Sequence, residues 1–381
     1  MFREGRGDLP PTDVVSSFGG GPVWTQVREP DGTPGQWYFH LFAAEQPDLD
    51  WSAPELLPDF ERIWRFWLDK GVDGFRVDVA DHLTKDVDRT DLPEGNMLLD
   101  HHADQTHRVW RALRTLLGSY SPPRTAVGEV WATGEELALY CRADEFPTAF
   151  AFSFLKAGWD ATRLRDAVAA GLGMGPTCAW VLDNHDTPRS ASRLGVNGLR
   201  RSRALTQLML ALPGSVYLYQ GQELGLPQVE LPDEALADPI WQRSAGLDRG
   251  RDGCRVPLPW SGDATPFGFA PAGVEPWLPQ PSSFAALTVE GQQSDPGSTL
   301  NFVRRLLALR RESSALRHGS FSCSDGEGLH LVRESDSERI EVLVNLGTSA
   351  VRVPAGVVVA ASCEMTDGPL LPPDAAVWLA E

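Results

Sequence analysis

The sequence predicts an α/β chain: a parallel sheet wrapped by crossover helices, followed by a small antiparallel β domain. Three observations predict it. Amphipathic helices alternate with short apolar strands through the middle of the chain, each strand ends in polar or ionisable residues, and the last stretch turns to apolar/polar alternation.

Residues 1–50 are rich in Gly, Pro and Asp (GRGDLPPTD, SSFGGGP, REPDGTPG), with short apolar or aromatic runs such as QWYFHLF, and read as an irregular excursion. From Trp51 the pattern changes. Ser52, Pro54 and Glu55 predict a capping-box start, and Phe60, Ile63, Trp64, Trp67 and Leu68 recur at helical spacing until Gly71 ends the run. The segment GVDGFRVDVA that follows is short, apolar and β-branched, which suits a buried parallel strand. This helix-then-strand unit repeats: residues 106–117 precede TAVGEVW, 161–170 precede TCAWVLDNHD, and 201–212 precede SVYLYQGQELG. A shorter strand at 150–154 brings the count to five, and a last helix at 299–311 follows the Pro-rich loops of 227–296. The tail (GLHLVRE, RIEVLVNL, AVRVP, GVVVAA) alternates between turn residues, the signature of antiparallel strands.

A formal charge of −18 argues against nucleic acid or an anionic membrane as partner, because both would be repelled by the net field. Thirteen Trp against five Tyr is a heavy indole load, better assigned to core than to a sugar-stacking surface for most of them. The five cysteines (Cys141, Cys178, Cys254, Cys323, Cys363) show no CxxC or Cys/His spacing, so neither a zinc site nor a disulfide framework is expected. Free thiols, an opening MFREGRGDLPPTD without an apolar stretch, and no uninterrupted membrane-length run together predict a cytoplasmic protein without cofactor or metal.

Chemistry concentrates at the strand ends, where parallel α/β barrels place reacting groups. GFRVDVA puts Arg76 and Asp78 on one face of a strand by the period of two, AVGEVW ends on Glu129, and WVLDNHD ends in Asp183, Asn184, His185 and Asp186. Two carboxylates facing each other across a glycosidic bond act as nucleophile and general acid/base, roughly 5 to 5.5 Å apart in retaining enzymes. The division of labour needs unequal pKa values. Arg76 beside Asp78 favours an ionised nucleophile, and Glu129, flanked by Val127, Val130 and Trp131, suits a protonated acid.

GFRVDVA, GEVW and VLDNHD, in that order, resemble three conserved regions of the α-amylase family of retaining glycoside hydrolases. QPDLDW (residues 46–51), YLYQGQELG and GRDGCRVPLPW are similar to segments of that family's oligo-1,6-glucosidase and α-glucosidase branch, although the branch usually has Asn where Asp50 stands. The resemblance implies an incomplete TIM (β/α)8 barrel lacking its first three strands. On that reading 1–50 is the remnant of the irregular barrel-inserted subdomain, 51–314 the C-terminal part of the catalytic barrel, and 315–381 the antiparallel β domain. It also implies roles: Asp78 as nucleophile, Glu129 as acid/base, and Asp186 gripping the sugar 2- and 3-hydroxyls. Arg76 and His185 would line the same subsite, and Arg255 would pair with an acid from an early strand to close the pocket around the terminal glucose.

The expected activity is hydrolysis of terminal α-glucosidic bonds in short oligosaccharides or disaccharides of maltose or isomaltose type. A transglucosylase or a trehalose- or sucrose-isomerising relative, and a non-catalytic truncated remnant, are the alternatives. Val79 after Asp78 points in the family to α-1,6 linkages, whereas Ala80 points to α-1,4. The family's first conserved region, Asp-x-x-x-x-Asn-His, is not found, and PPTDVVSSFGG stands where the family has Asn-Asn-Trp. These departures predict a fragment with little activity on its own.

Overall fold

The computed structural model describes residues 1–16, 18–88, 104–132, 134–324, 328–365 and 368–381. Ser17 of the SSFGG run lies outside them. The chain forms two compact units, one of 1–150 with 236–250, the other of 151–235 with 251–381.

In the first unit the opening residues are more ordered than expected. Phe2–Arg3, Pro34–Phe39 and Trp24–Arg28 form a three-stranded antiparallel sheet in that order. The turn that joins the longer strands, PDGT, closes through Glu29 N–H to Thr33 O at 2.9 Å and Thr33 N–H to Asp31 Oδ1 at 2.9 Å, with Gly32 at φ +86°. Val23, Trp24, Phe39 and Leu41 bury a small apolar cluster of their own. The sequence read as irregular because its strands are separated by Gly/Pro punctuation and alternate only weakly.

The helix Leu56–Asp69 follows, but the expected capping box does not form. Glu55 is the N-cap without a side-chain cap bond, and Ser52 bonds Asp50 instead. Gly74–Val77 then pairs in parallel with Thr125–Gly128, which pairs in parallel with Thr148–Ala151. Between these strands lie the helices Asp104–Gly118 and Gly134–Tyr140. Gly74–Val77 was expected to be buried; its residues are half-buried to exposed.

In the second unit, the sequence-predicted strand at 150–154 is corrected: the strand is Thr148–Ala151, and the chain turns at once into the helix Phe152–Lys156. An apolar aromatic run cannot by periodicity alone distinguish a strand from a buried helical turn. Cys178–Val181 and Ser215–Tyr217 pair in parallel. The helices Ala161–Gly173, Gly198–Ala211 and Thr299–Glu312 match the sequence expectation to within a few residues. The tail folds as an antiparallel sheet ordered Val357–Ala361, Ala375–Ala380, Glu338–Asn345, Leu329–Ser335, Ser320–Ser324. One continuous core runs from Phe154 and Trp180 through Leu205, Leu208 and Leu306 to Val342 and Trp378, welding the strand–helix part of this unit to its antiparallel sheet.

That core has no slack at Gly171, whose added methyl would collide with the Trp180 ring, itself fully buried. Overpacking of this kind costs about 1–3 kcal/mol. Gly171→Ala is therefore expected to lower the unfolding free energy of the second unit, measured by urea denaturation, by that amount; an unchanged urea midpoint would contradict the packing described.

Candidate active site

Strand register brings the first group together. Arg76 lies opposite Val127 and Val77 opposite Gly128, so the next residues, Asp78 and Glu129, leave adjacent strands side by side. Glu129 N–H continues the ladder to Val77 O at 2.9 Å, and Ala80 N–H returns to Glu129 O at 2.9 Å. Gly128 packs closely where it stands, since a Cβ there would lie 3.0 Å from the Phe146 ring.

The two carboxylates differ sharply in exposure: the Asp78 side chain is 64% exposed and that of Glu129 only 3%. Arg76 touches both, through Nη1 to Asp78 Oδ1 and through Nη2 to Glu129 Oε1 at 3.0 Å. The sequence had assigned this cation to Asp78 alone. Burial, and then a hydrogen bond shared with Asp78, push the Glu129 carboxyl up to about 7, against the lowering effects of Arg76 and of the Val79 N–H. That N–H donates to Glu129 Oε2 at 3.0 Å from a residue held at φ +41°, a left-handed conformation strained for a β-branched side chain. Behind the pair, buried Asp81 accepts from Trp131 N–H at 3.0 Å, and Trp110 Nε1 donates to Ala80 O at 3.0 Å, so both loops are fixed.

The second group sits wholly in the other unit, at the end of Cys178–Val181. Asn184 Oδ1 accepts from Asp186 N–H at 3.0 Å and from the Thr187 hydroxyl at 2.8 Å, the turn that presents Asp186. Asp186 is gripped by Arg251 Nη1 at 2.8 Å and Arg255 Nη2 at 3.1 Å on one oxygen, with His185 Nε2 3.3 Å from the other. Arg255 Nε also donates to His185 O at 2.8 Å. Arg255 thus bonds the His-Asp segment.

Sequence reasoning missed Arg251 and Arg189. Arg251 is four residues before Arg255, a spacing that puts both on one face of the turn Asp252–Arg255 and would have flagged it. Arg189 is buried, holds Gln220 O and Cys254 O at 2.9 Å each, and stacks on Tyr219 at 5.0 Å. Cys254 beside it is buried, its thiol pushed up to about 11 by burial, which disfavours the thiolate. Buried Asp183 is raised by burial and anchors the strand end through Ser190 N–H and Oγ, each at 2.6 Å. Among the described residues no group of three or more His, Cys, Asp or Glu could hold a metal ion, and no helix is long and apolar enough to cross a membrane.

Comparison with known proteins gives concordant findings. The model of the alpha amylase catalytic domain matches residues 1–319. A probable alpha-glucosidase of Rhizobium meliloti is 31% identical over 90% of this chain, which spans 66% of that protein, just under two thirds. An oligo-1,6-glucosidase of Parageobacillus thermoglucosidasius is 27% identical over 93% of the chain and 70% of its own length. Among solved structures, an alpha-glucosyl transfer enzyme superposes on the whole chain with a TM-score of 0.84 at 31% identity, covering 76% of that protein. The trehalulose synthase of Pseudomonas mesoacidophila, at 23% identity and a TM-score of 0.83 over the whole chain and 77% of its own, shares the fold.

Proposed function

Because the chain belongs to the α-amylase catalytic-domain family, we propose that it is the catalytic part of an exo-acting, retaining α-glucosidase of the reducing cytoplasm. Its substrates are short α-glucosides of maltose or isomaltose type. The observation that carries this reading is the asymmetric pair: one exposed carboxylate against a guanidinium, one buried carboxyl beside it with its pKa raised to about 7.

The Asp78 side chain first swings away from Glu129, because the two share a hydrogen bond and a sugar needs the roughly 5 to 5.5 Å of a retaining pair. An Asp78 oxygen then attacks the anomeric carbon, the glycosidic C–O bond breaks, and the Glu129 proton passes to the departing oxygen. The glucosyl ester is opened by water, whose proton returns to Glu129 as the C–O bond to Asp78 breaks. Asp186 holds sugar hydroxyls, an interaction that assists most as the ring flattens toward the oxocarbenium ion. Arg251 and Arg255 keep that carboxylate aimed. The five cysteines are free thiols, consistent with a reducing compartment.

A second reading, transglucosylation, is favoured by the 31% identity to an alpha-glucosyl transfer enzyme. It uses the same intermediate, intercepted by a sugar hydroxyl instead of water. Following maltose, isomaltose and sucrose with the protein by proton NMR tests both. Hydrolysis predicts α-glucose as the first product and transfer predicts new α-glucosides. Release of β-glucose, or no turnover of any of the three, would refute the proposal.

Removing one of the arginines on Asp186 leaves that carboxylate less well held. Arg251→Ala is expected to lower kcat/KM by about 10- to 100-fold, the scale of a lost charge-assisted hydrogen bond. An unchanged kcat/KM in steady-state kinetics would remove Arg251 from the site.

A further inference from the structure

In the second unit, a cavity of about 450 Å³ lined by none of the residues just described opens between the helices Gly198–Ala211 and Thr299–Glu312 and the strand Val357–Ala361. Three arginines line it, Arg200 and Arg203 one turn apart on the first helix and Arg305 on the second. Each of them donates to a neutral carbonyl, Arg200 to Pro373 O at 3.2 Å, Arg203 to Gly297 O at 3.1 Å and Arg305 to Val359 O at 2.6 Å, and Arg200 also bonds the Cys363 thiol. Among the described residues none of the three is within salt-bridge distance of a carboxylate, although Asp295 acts on the Arg203 charge through space, in a chain where 52 acidic residues face 34 basic ones. The Arg203 guanidinium is stacked on Phe302 at 4.5 Å, and its Nε–H is buried with no hydrogen-bond partner. An orphaned buried donor on a cation is costly to keep unless a ligand accepts from it. Among the described residues the exposed Glu364 is the one carboxylate that lines the cavity, and Leu199, Phe302 and Ala360 give it apolar walls.

We infer that this cavity binds the phosphate group of a small anionic metabolite, either a phosphate monoester or inorganic phosphate. Guanidinium forks match phosphate oxygens in geometry and charge. The volume exceeds what a bare phosphate needs and falls in the range of small-molecule pockets, and the apolar walls suit the organic part of an ester.

The test uses glycerol 3-phosphate, which has no pyranose ring to occupy a glucose site, and inorganic phosphate, each titrated calorimetrically against chloride of equal ionic strength. Saturable binding is expected, weakened about tenfold or more by Arg203→Gln and by Arg200→Gln, the scale of a lost charge-assisted hydrogen bond. Tighter binding of glycerol 3-phosphate assigns the ester as ligand, and equal binding assigns inorganic phosphate. In the unsubstituted protein, alkylation of Cys363, which also lines the cavity, is expected to slow at least about fivefold when the ligand saturates its site. No saturable binding, binding unaltered in both variants, or unprotected Cys363 would each overturn the inference. Because the alkylation readout needs no substitution, a variant that fails to fold does not rescue it.

Discussion

Asp78→Ala is expected to lower kcat on maltose by about 10⁴-fold or more, because loss of a covalent nucleophile removes the intermediate itself and not one of its stabilising contacts. The side chain is largely exposed, so its loss is expected to change unfolding free energy by no more than about 0.5 kcal/mol. Added azide provides the sharper readout. It can occupy the face from which the carboxylate would attack, and with an activated α-glucosyl fluoride it should restore turnover as β-glucosyl azide. Retention of more than a few per cent of kcat, or an α-azide as product, would show that the attacking group lies elsewhere.

Glu129→Gln is expected to lower kcat on maltose by about 10²- to 10⁴-fold, the usual contribution of general acid catalysis. It should cost less in the first step with p-nitrophenyl α-glucoside, whose leaving group departs without a proton. The pH profile makes the case separately. An acid must be protonated, and its pKa stands near 7, raised chiefly by burial, so activity should fall as pH rises through about 7. In the variant this limb should vanish. Stability follows the same sign: with the folded pKa above the ordinary 4.5, the contribution of this group favours folding fully below about pH 4.5 and is lost as pH rises through about 7. Glu129→Gln should therefore raise the melting temperature above pH 7 relative to the native protein and do so less at pH 5. A melting temperature raised equally at both pH values would assign the shift to packing.

Much of this was legible in the residues. The register that seats Asp78 beside Glu129 follows from two short apolar strands of equal length, each ending on its carboxylate, and the burial of Glu129 from the Val-rich run around it. The strand at 150–154 was misplaced because FAFSFL satisfies strand and buried-helix patterns alike, and tertiary packing, not periodicity, decides between them. The capping box failed because the helix starts only after Glu55, which leaves Ser52 three residues short of the N-cap, its hydroxyl donating to Asp50 instead. Arg76 was read as the partner of one carboxylate, since sequence spacing registers neighbours on one strand but is blind to the adjacent strand, from which Glu129 reaches the same guanidinium. The convergence of Arg251 and Arg255 on Asp186 links residues about 65–70 positions apart in the chain, a distance across which local pattern carries no information. The Arg200, Arg203 and Arg305 cavity is of the same kind, assembled by helix packing alone.

Peptide mapping after inactivation of the protein with 5-fluoro-α-glucosyl fluoride asks the central question directly. If the exposed aspartate attacks while its buried neighbour donates the proton, the fluoroglucosyl mass will be found on the peptide containing GFRVDVA, at Asp78. A label on Glu129 or Asp186, or none despite inactivation, would contradict that division of labour.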